Sequence, residues 1–157
     1  MAGKKILFIC TGNTCRSSMA TFLARRLQEE EFPQGAHLFD SAGLMAVAGM
    51  PASSEAIAAL AELGIDLLPH RTKPFRPEMV DKSDLVLTMT AAHRQWILDR
   101  LPVAAGKVFT LAEFAGLEGK DIRDPFGGSR EQYVATRDDL SAVLLEMLKK
   151  LEKAQES

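Results

Sequence analysis

A thiol and a guanidinium lie close together near the N-terminus, at Cys10 and Arg16. The loop between them contains Gly12 and Asn13, the residue types that most readily adopt left-handed backbone angles. Such a loop, when a helix follows it, directs backbone N–H groups and the positive end of the helix at one point. Arg16 adds a planar fork of donors that matches two phosphoryl oxygens. The predicted phosphoryl-binding loop consists of Cys10, Thr11, Gly12, Asn13, Thr14, Cys15, Arg16 and Ser17.

Cys10 is the candidate nucleophile because it lies at the base of this loop. The N–H groups of the loop, the helix terminus and Arg16 are all expected to lower the pKa of its thiol and to favour the thiolate. A thiolate beneath a phosphoryl group is a nucleophile for phosphoryl transfer. Ser17 could donate a hydrogen bond to the sulfur, which would help the thiolate to leave again.

Cleavage of a phosphoester or a phosphoramidate also needs a proton on the leaving group. The best candidate for the donor is Asp124, which opens the segment Asp-Pro-Phe-Gly-Gly after the last predicted strand. The same pattern is equally typical of a simple turn. From the residues alone, Asp124 therefore competes with Asp40, Asp84 and Asp121 for this role.

Short apolar runs and helical periodicities predict the elements that position these residues. Strands are predicted around residues 6–9, 37–40, 85–89 and 108–109, and helices over residues 16–30, 53–63, 91–101 and the C-terminal segment. Residues 116–128 are predicted as a loop. Alternating strands and helices indicate one α/β domain over residues 1–157, with a four-stranded parallel sheet and helices on both faces. Ligands bind outside the carboxyl ends of the strands in such sheets, which is where the Cys10 loop begins.

Composition argues against several other classes of protein. The 157 residues carry 19 basic and 21 acidic side chains, and this net charge of −2 gives no support for binding nucleic acid or an anionic membrane. Two cysteines and three scattered histidines favour neither a disulfide framework nor a metal site. The N-terminal apolar run is too short for a signal peptide, and no segment is apolar over the length of a membrane span. We therefore expect a cytoplasmic protein with reduced thiols that uses no metal or other cofactor.

The loop Cys-Thr-Gly-Asn-Thr-Cys-Arg-Ser and the later Asp-Pro-Phe together resemble the low-molecular-weight protein tyrosine phosphatase family, including its bacterial arginine-phosphatase branch. The segments Asp-Ser-Ala-Gly from Asp40 and Ser-Asp-Leu-Val-Leu from Ser83 resemble further family segments. The resemblance implies a flavodoxin-like fold, with Cys10 as nucleophile, Arg16 as phosphate clamp and Asp124 as general acid and then base. It also implies hydrogen bonds that brace the loop, made by Asn13, Ser17, Ser41 and His70.

The rim of the site bears on which phosphorylated residue is the substrate. Tyrosine-directed members of the family typically carry a bulky aliphatic residue where this chain has Thr14, and often two aromatic residues after Asp-Pro. Thr14 and the Asp-Pro-Phe-Gly-Gly run resemble the arginine phosphatases instead. The Thr14 hydroxyl could orient a water or a guanidinium, whereas Phe126 could stack on either a guanidinium or a phenol. We expect phosphoarginine in proteins as the substrate and inorganic phosphate as the product, with phosphotyrosine as the alternative.

Other classes of protein use a similar cysteine-headed loop. A phosphocysteine carrier of a sugar-uptake system would pass its phosphoryl group to a sugar, but Arg16 and the Asp124 segment favour hydrolysis. A thiol-based arsenate reductase needs further cysteines, and none follows Cys15. A non-catalytic phosphate-binding module would not need a cysteine at the base of the loop. Cys15 is either a small packed residue or a partner that captures oxidised Cys10 as a disulfide, and the resemblance favours this redox role.

Overall fold

The computed structural model describes residues 3–117 and 120–156, and a four-stranded parallel sheet lies at its centre. The strands are β1 (Lys5–Cys10), β2 (Leu38–Gly43), β3 (Leu85–Thr88) and β4 (Val108–Thr110). Their spatial order is β2-β1-β3-β4, so the chain reverses its winding direction at β1. This topology confirms the predicted flavodoxin-like sheet, in which ligands bind beside the carboxyl ends of the strands at the reversal point.

Helices cover both faces of this sheet, as the sequence predicts. They are α1 (Arg16–Glu31), α2 (Ser54–Ala61), α3 (Pro77–Asp81), α4 (Ala91–Arg100), α5 (Leu111–Phe114) and α6 (Arg130–Glu156), with a 3₁₀ turn at Pro102–Ala104. Alternate residues of β1 point to opposite faces. Ile6 and Phe8 therefore pack in the core with α1, α2, α5 and α6, whereas Leu7 and Ile9 pack in a second core with α3 and α4.

Two predicted elements differ from the structure by more than one residue at an end. Strand β2 begins at Leu38, one residue later than predicted, and continues to Gly43 because all six of its residues pair with β1. Helix α2 begins at Ser54, with Ser53 rather than Ser54 as its N-cap, and ends at Ala61, two residues before the predicted end. Gly64, at a φ of 73°, lies just past the predicted end at residue 63 and closes the turn that follows the helix.

Two short helices are absent from the sequence prediction. Helix α3 has five residues and α5 has four, which is too short for a helical periodicity to be visible in the sequence. The predicted loop at residues 116–128 contains neither helix nor strand over its described part, and residues 118 and 119 lie outside the described residues.

The register of β1 and β2 brings the candidate loop against a glycine. Cys10, the last residue of β1, pairs with Gly43, the last residue of β2. A Cβ atom on Gly43 would lie 2.6 Å from the carbonyl oxygen of Thr11 and 2.8 Å from the backbone nitrogen of Asn13. Contacts this short are not tolerated by backbone atoms, so glycine allows β2 to pass directly under the loop.

Candidate active site

Asn13 organises the loop of residues 10–17 between β1 and α1. It adopts a φ of 61° and is fully buried. Its side-chain Nδ2 donates to Ser17 Oγ at 2.8 Å and to Ser41 Oγ at 2.9 Å, and its Oδ1 accepts from the backbone N–H of Lys73 at 3.0 Å. The Nε2–H of His70 donates to the Asn13 carbonyl at 2.8 Å. The structure thus brings together the four residues expected to brace the loop, although they come from three separate segments.

The sulfur of Cys10 lies at the base of the loop and has two close polar contacts. Its Sγ is 2.8 Å from Ser17 Oγ and accepts a hydrogen bond from the N–H of Asn13 at 3.2 Å. Burial raises the pKa of the Cys10 thiol, and this outweighs the two contacts and the charge of Arg16, which lower it. The expected net lowering of this pKa is therefore wrong. The sequence shows the groups that stabilise a thiolate, but not how completely the folded chain removes the sulfur from water.

Arg16 connects the loop to the segment that carries the candidate acid. Its guanidinium is buried, and Nη1 donates to the carbonyl of Ile122 at 3.1 Å. Nη2 lies 3.6 Å from Oδ2 of Asp124, whose side chain is about half exposed. The other carboxylate oxygen, Oδ1, accepts the N–H of Phe126 at 3.0 Å. This arrangement holds a carboxyl group beside the guanidinium and leaves it accessible from solvent.

The three other candidate acids have different structural surroundings. Asp40 pairs with Lys73, Asp84 accepts the first N–H of β1 at 2.8 Å, and Asp121 accepts the first N–H of α4 at 2.9 Å. None of these three lines the pocket above Cys10, whereas Asp124 does. The geometry therefore distinguishes Asp124 from the alternatives that the residues alone leave open.

One pocket of about 210 Å³ opens above Cys10. Thr14 and Phe126, the residues expected to influence specificity, are both part of its wall, and Phe126 is largely exposed. The pocket is lined by Cys10, Thr11, Gly12, Thr14, Cys15, Arg16, Asp124 and Phe126. It therefore combines a thiol, a guanidinium and a carboxyl group in a space of the size that a phosphoryl group and part of a side chain require.

The sequence pattern of low molecular weight phosphotyrosine protein phosphatase matches residues 5–157. The chain belongs to this phosphatase family. The resemblance noted from the loop and the Asp-Pro-Phe segment is thereby confirmed, and the protein is a phosphatase, which is a hydrolase.

Relatives of this chain within the family carry two kinds of description. A protein-arginine-phosphatase of Geobacillus stearothermophilus is 42% identical over 151 residues, which cover 96% of this chain and 98% of the relative. A probable low molecular weight protein-tyrosine-phosphatase of Ralstonia nicotianae is 38% identical, over 89% of this chain and 88% of the relative. Among solved structures, a cysteine-to-serine variant of the arginine phosphatase YwlE with a phosphorylated active-site serine has a TM-score of 0.90. It is 40% identical, over 95% of this chain and 96% of that chain.

His93 is a site residue that the sequence analysis did not assign to this phosphatase pocket. Its Nε2 lies 2.9 Å from Oγ1 of Thr11, and its buried Nδ1 has no hydrogen-bond partner within residues 3–117 and 120–156. Burial and the charge of Arg16 lower the pKa of His93 to about 4, against smaller opposing effects of Asp121 and Asp124. A neutral imidazole therefore supports the floor of the pocket. A histidine after a capping threonine, Thr-Ala-Ala-His, gives no sequence signal for this role.

Cys15 is in contact with three hydroxyl groups beneath the rim of the pocket, one of them Oγ1 of Thr14 at 3.6 Å. Its Sγ lies 3.3 Å from the Tyr133 hydroxyl and 3.5 Å from Ser53 Oγ, and these two hydroxyls are 3.4 Å apart. Burial and the contact with Cys15 raise the pKa of Tyr133 to about 12, so the phenol stays protonated. Tyr133 lies on α6, and Ser53 lies directly before α2. The contacts of Cys15 with these two residues therefore join the loop to two helices. Both cysteines are free thiols in the structure.

Residues 3–117 and 120–156 provide neither a metal-binding cluster nor a membrane-spanning helix. No group of three or more His, Cys, Asp or Glu side chains in this part of the chain is arranged to hold a metal ion. Within the same residues, no helix combines the length and apolar character needed to cross a membrane.

Proposed function

We propose that this phosphatase hydrolyses phosphoarginine in proteins through a phosphocysteine intermediate. The observation that carries the proposal is that Cys10, Arg16 and Asp124 line one small pocket. These are the nucleophile, the clamp for phosphoryl oxygens and the proton donor that such a reaction needs. The substrates are phosphorylated proteins, and inorganic phosphate is the product.

In the first step, the Cys10 thiolate attacks phosphorus after the thiol has lost its proton to water. Ser17 and the Asn13 N–H stabilise the sulfur anion at 2.8 and 3.2 Å, which offsets part of the cost of burying it. Arg16 and the loop N–H groups bind the phosphoryl oxygens, where charge builds up. The P–N bond breaks as the carboxylic acid of Asp124 donates its proton to the leaving nitrogen.

In the second step, water attacks phosphorus and the P–S bond of phosphocysteine breaks. Asp124, now a carboxylate, accepts a proton from the water, and Cys10 leaves as a thiolate stabilised by Ser17. The position of Asp124 beside Arg16 but half exposed supports both roles, because the group must reach the leaving atom first and water afterwards. The solved relative whose active-site cysteine is replaced by a phosphorylated serine supports a covalent intermediate on this residue.

The preference for phosphoarginine over phosphotyrosine rests on Thr14. Its side chain lines the pocket wall, where its Oγ1 lies 3.6 Å from Cys15 Sγ, and a polar residue at this position suits a guanidinium better than an aromatic ring. The arginine phosphatase of Geobacillus stearothermophilus, 42% identical, supports the same choice. Phosphotyrosine is the second candidate, because the exposed ring of Phe126 at the pocket can stack on a phenol equally well.

The catalytic roles are tested by phosphate release from phosphoarginine peptides. Cys10→Ser should abolish turnover, and Asp124→Asn should reduce kcat roughly 10²- to 10⁴-fold while phosphate still competes for the site. Near wild-type turnover by either variant would exclude the corresponding role. Sustained release of phosphate to water in wild type excludes a phosphocysteine carrier, which would require a sugar acceptor.

The substrate choice is tested by comparing matched phosphoarginine and phosphotyrosine peptides. Wild type should favour phosphoarginine in kcat/KM, and Thr14→Ile should shift the ratio toward phosphotyrosine by about ten-fold or more. Thr14→Ser, which keeps the hydroxyl, is the matched control. A preference of wild type for phosphotyrosine would overturn the arginine assignment and leave the catalytic roles intact.

A redox role for Cys15 completes the proposal. Peroxide would oxidise the Cys10 thiolate to a sulfenic acid, and attack by the Cys15 thiol would form a disulfide with release of water. Both residues line the same pocket as free thiols. A cytoplasmic location would keep them reduced until peroxide reaches the site. After peroxide and then reductant, wild type should recover activity and Cys15→Ser should not. Equal recovery by both proteins would contradict the role.

A further inference from the structure

Exposed apolar side chains are concentrated beside the phosphoryl pocket. Met45, Val47 and Met50 are 73, 70 and 50% exposed, and Phe126 is 72% exposed. They border a groove of about 380 Å³, whose full lining is Gly12, Thr14, Met45, Val47, Met50, Pro51, Ser53, Thr72 and Phe126. Contiguous apolar surface of this kind typically marks a binding site, whereas single exposed apolar residues do not.

The backbone that presents these side chains is tightly held. The N–H of Met45 donates to the Thr11 carbonyl at 2.8 Å, which fastens the segment to the phosphoryl-binding loop. The N–H of Gly49 donates to the Thr72 carbonyl at 2.8 Å, and the N–H of Thr72 donates to the Met50 carbonyl at 2.7 Å. The Thr72 hydroxyl also donates to the Val47 carbonyl. A preorganised apolar surface loses little entropy when it binds a partner.

The groove is continuous with the pocket in which the phosphoryl group would bind. Gly12, Thr14 and Phe126 line both spaces, so an occupant of the groove would lie next to a residue inserted above Cys10. The nine residues that line the groove all have uncharged side chains or, for Gly12, no side chain. An apolar, uncharged group is therefore the complementary occupant, because a charged group would lose water there without gaining a partner.

We propose that this groove binds an aliphatic or aromatic side chain of the substrate protein, one or two positions from the phosphorylated residue. Successive residues of an extended chain are about 3.3–3.6 Å apart, so a residue one or two positions away remains close to the pocket. The groove adjoins the pocket there, because the two share Gly12, Thr14 and Phe126. The inference rests on the proposed function, because it requires a polypeptide whose phosphorylated side chain enters the pocket. It adds a preference for apolar sequence around the phosphorylated residue.

The preference is measured with two phosphoarginine peptides that differ only beside the phosphorylated residue. One carries Leu at the flanking positions and the other carries Ser. Wild type should show a kcat/KM about ten-fold higher for the Leu peptide, with most of the difference in KM. The same pair made with phosphotyrosine should show the same preference, because the groove lies outside the pocket that receives the phosphorylated side chain.

The groove is tested with a double substitution, Met45→Ser and Val47→Ser. Both side chains lie on the groove and neither lines the phosphoryl pocket. The variant should reduce the Leu/Ser ratio of kcat/KM from about ten toward one. The matched control is Val103→Ser, in the 3₁₀ turn, which removes a 96% exposed valine that does not line the groove and should leave the ratio as in wild type. Hydrolysis of p-nitrophenyl phosphate reports whether each variant is folded and chemically competent.

The outcomes separate this inference from the proposed function. If wild type hydrolyses both peptides equally, or the double variant keeps the ratio of wild type, the docking role is wrong and the phosphatase assignment stands. If wild type releases no phosphate from any of the peptides or from the aryl phosphate, the proposed function itself fails. If sedimentation shows a wild-type dimer that the double variant loses, a second copy covers the groove and the substrate role is overturned.

Discussion

Replacing Asn13 by glycine removes the side chain that fastens the phosphoryl-binding loop, yet keeps the backbone freedom that its φ of 61° requires. The substitution deletes three hydrogen bonds, to Ser17, Ser41 and the backbone of Lys73, at 2.8 to 3.0 Å. At about 1 kcal/mol of net stability each, their loss should lower the free energy of unfolding by about 3 kcal/mol. For a domain of this size, that corresponds to a decrease in Tm of roughly 6–12 °C.

Urea unfolding of a double-mutant cycle measures one of these contacts directly. Ser41→Ala alone should destabilise wild type by about 1 kcal/mol, and should have almost no effect when Asn13 is already glycine. Ser83→Ala is the matched control, because that hydroxyl donates to the Met79 carbonyl at 2.6 Å, just before β3 and so at the end of the sheet opposite the loop. Its effect should add to that of Asn13→Gly within about 0.5 kcal/mol.

The same variant should lose activity, because Asn13 also holds the serine that contacts the Cys10 sulfur. Displacement of a reacting group by about 1 Å is enough to reduce kcat roughly 10²-fold, so we expect a loss of 10- to 100-fold toward p-nitrophenyl phosphate. The reasoning is refuted if Asn13→Gly costs less than about 1 kcal/mol, or if its coupling to Ser41 is below about 0.3 kcal/mol.

Three further perturbations test other contacts. Ser17→Ala removes the hydroxyl 2.8 Å from Cys10 Sγ and should raise the pKa of that thiol further. Alkylation of Cys10 by iodoacetamide should therefore shift to higher pH, because only the thiolate reacts. An unchanged pH profile of alkylation would contradict this role of Ser17. The pKa of His93 is lowered from 6.5 to about 4 in the folded chain, so the unfolded state takes up the proton first as pH falls through this window. The free energy of unfolding should decrease by about 3 kcal/mol as the pH falls from 6.5 to about 4. Urea unfolding of His93→Gln should show a smaller decrease over the same pH range. The same decrease in both proteins would mean that protonation of His93 is not its cause. Gly43→Ala places a Cβ 2.6 Å from a carbonyl oxygen of the loop and should lower the free energy of unfolding by about 1–3 kcal/mol. The control Gly106→Ala meets nothing within 4 Å and should change stability by less than about 0.5 kcal/mol. Equal losses in thermal unfolding would mean that the close approach is not what requires glycine.

Much of the fold could be predicted because its elements are marked by local patterns. The apolar run of β1 and the periodicity of α1 both follow from which residues alternate or recur at helical spacing. The bounds of β2 could not be predicted, because Ser41 to Gly43 are strand residues through their pairing with β1 and not through their own propensity. The short helices α3 and α5 escaped prediction for a different reason, because four or five residues are too few for a helical periodicity to appear.

The candidate site divides in a similar way. The thiol at residue 10 and the guanidinium at residue 16 are recognisable together because one short loop between a strand and a helix holds both. Asp124 was one of four possible acids on the residues alone, and the pocket geometry separates it from the other three. His93 and Tyr133 carry no signal in the sequence, because their contacts with Thr11 and Cys15 join segments far apart in the chain.

The sequence by itself indicated the chemistry of this protein: a cysteine, an asparagine that readily adopts left-handed angles and an arginine lie within one short loop, so short-range geometry already brings them to one point. Tertiary structure alone decided what surrounds that chemistry. It brought Asp124 to the pocket, buried the Cys10 sulfur so that its pKa rises, and placed the apolar segment around Met45 and Met50 at the edge of the pocket. Burial and long-range contact depend on how all the elements pack together, and no local pattern of residues records them.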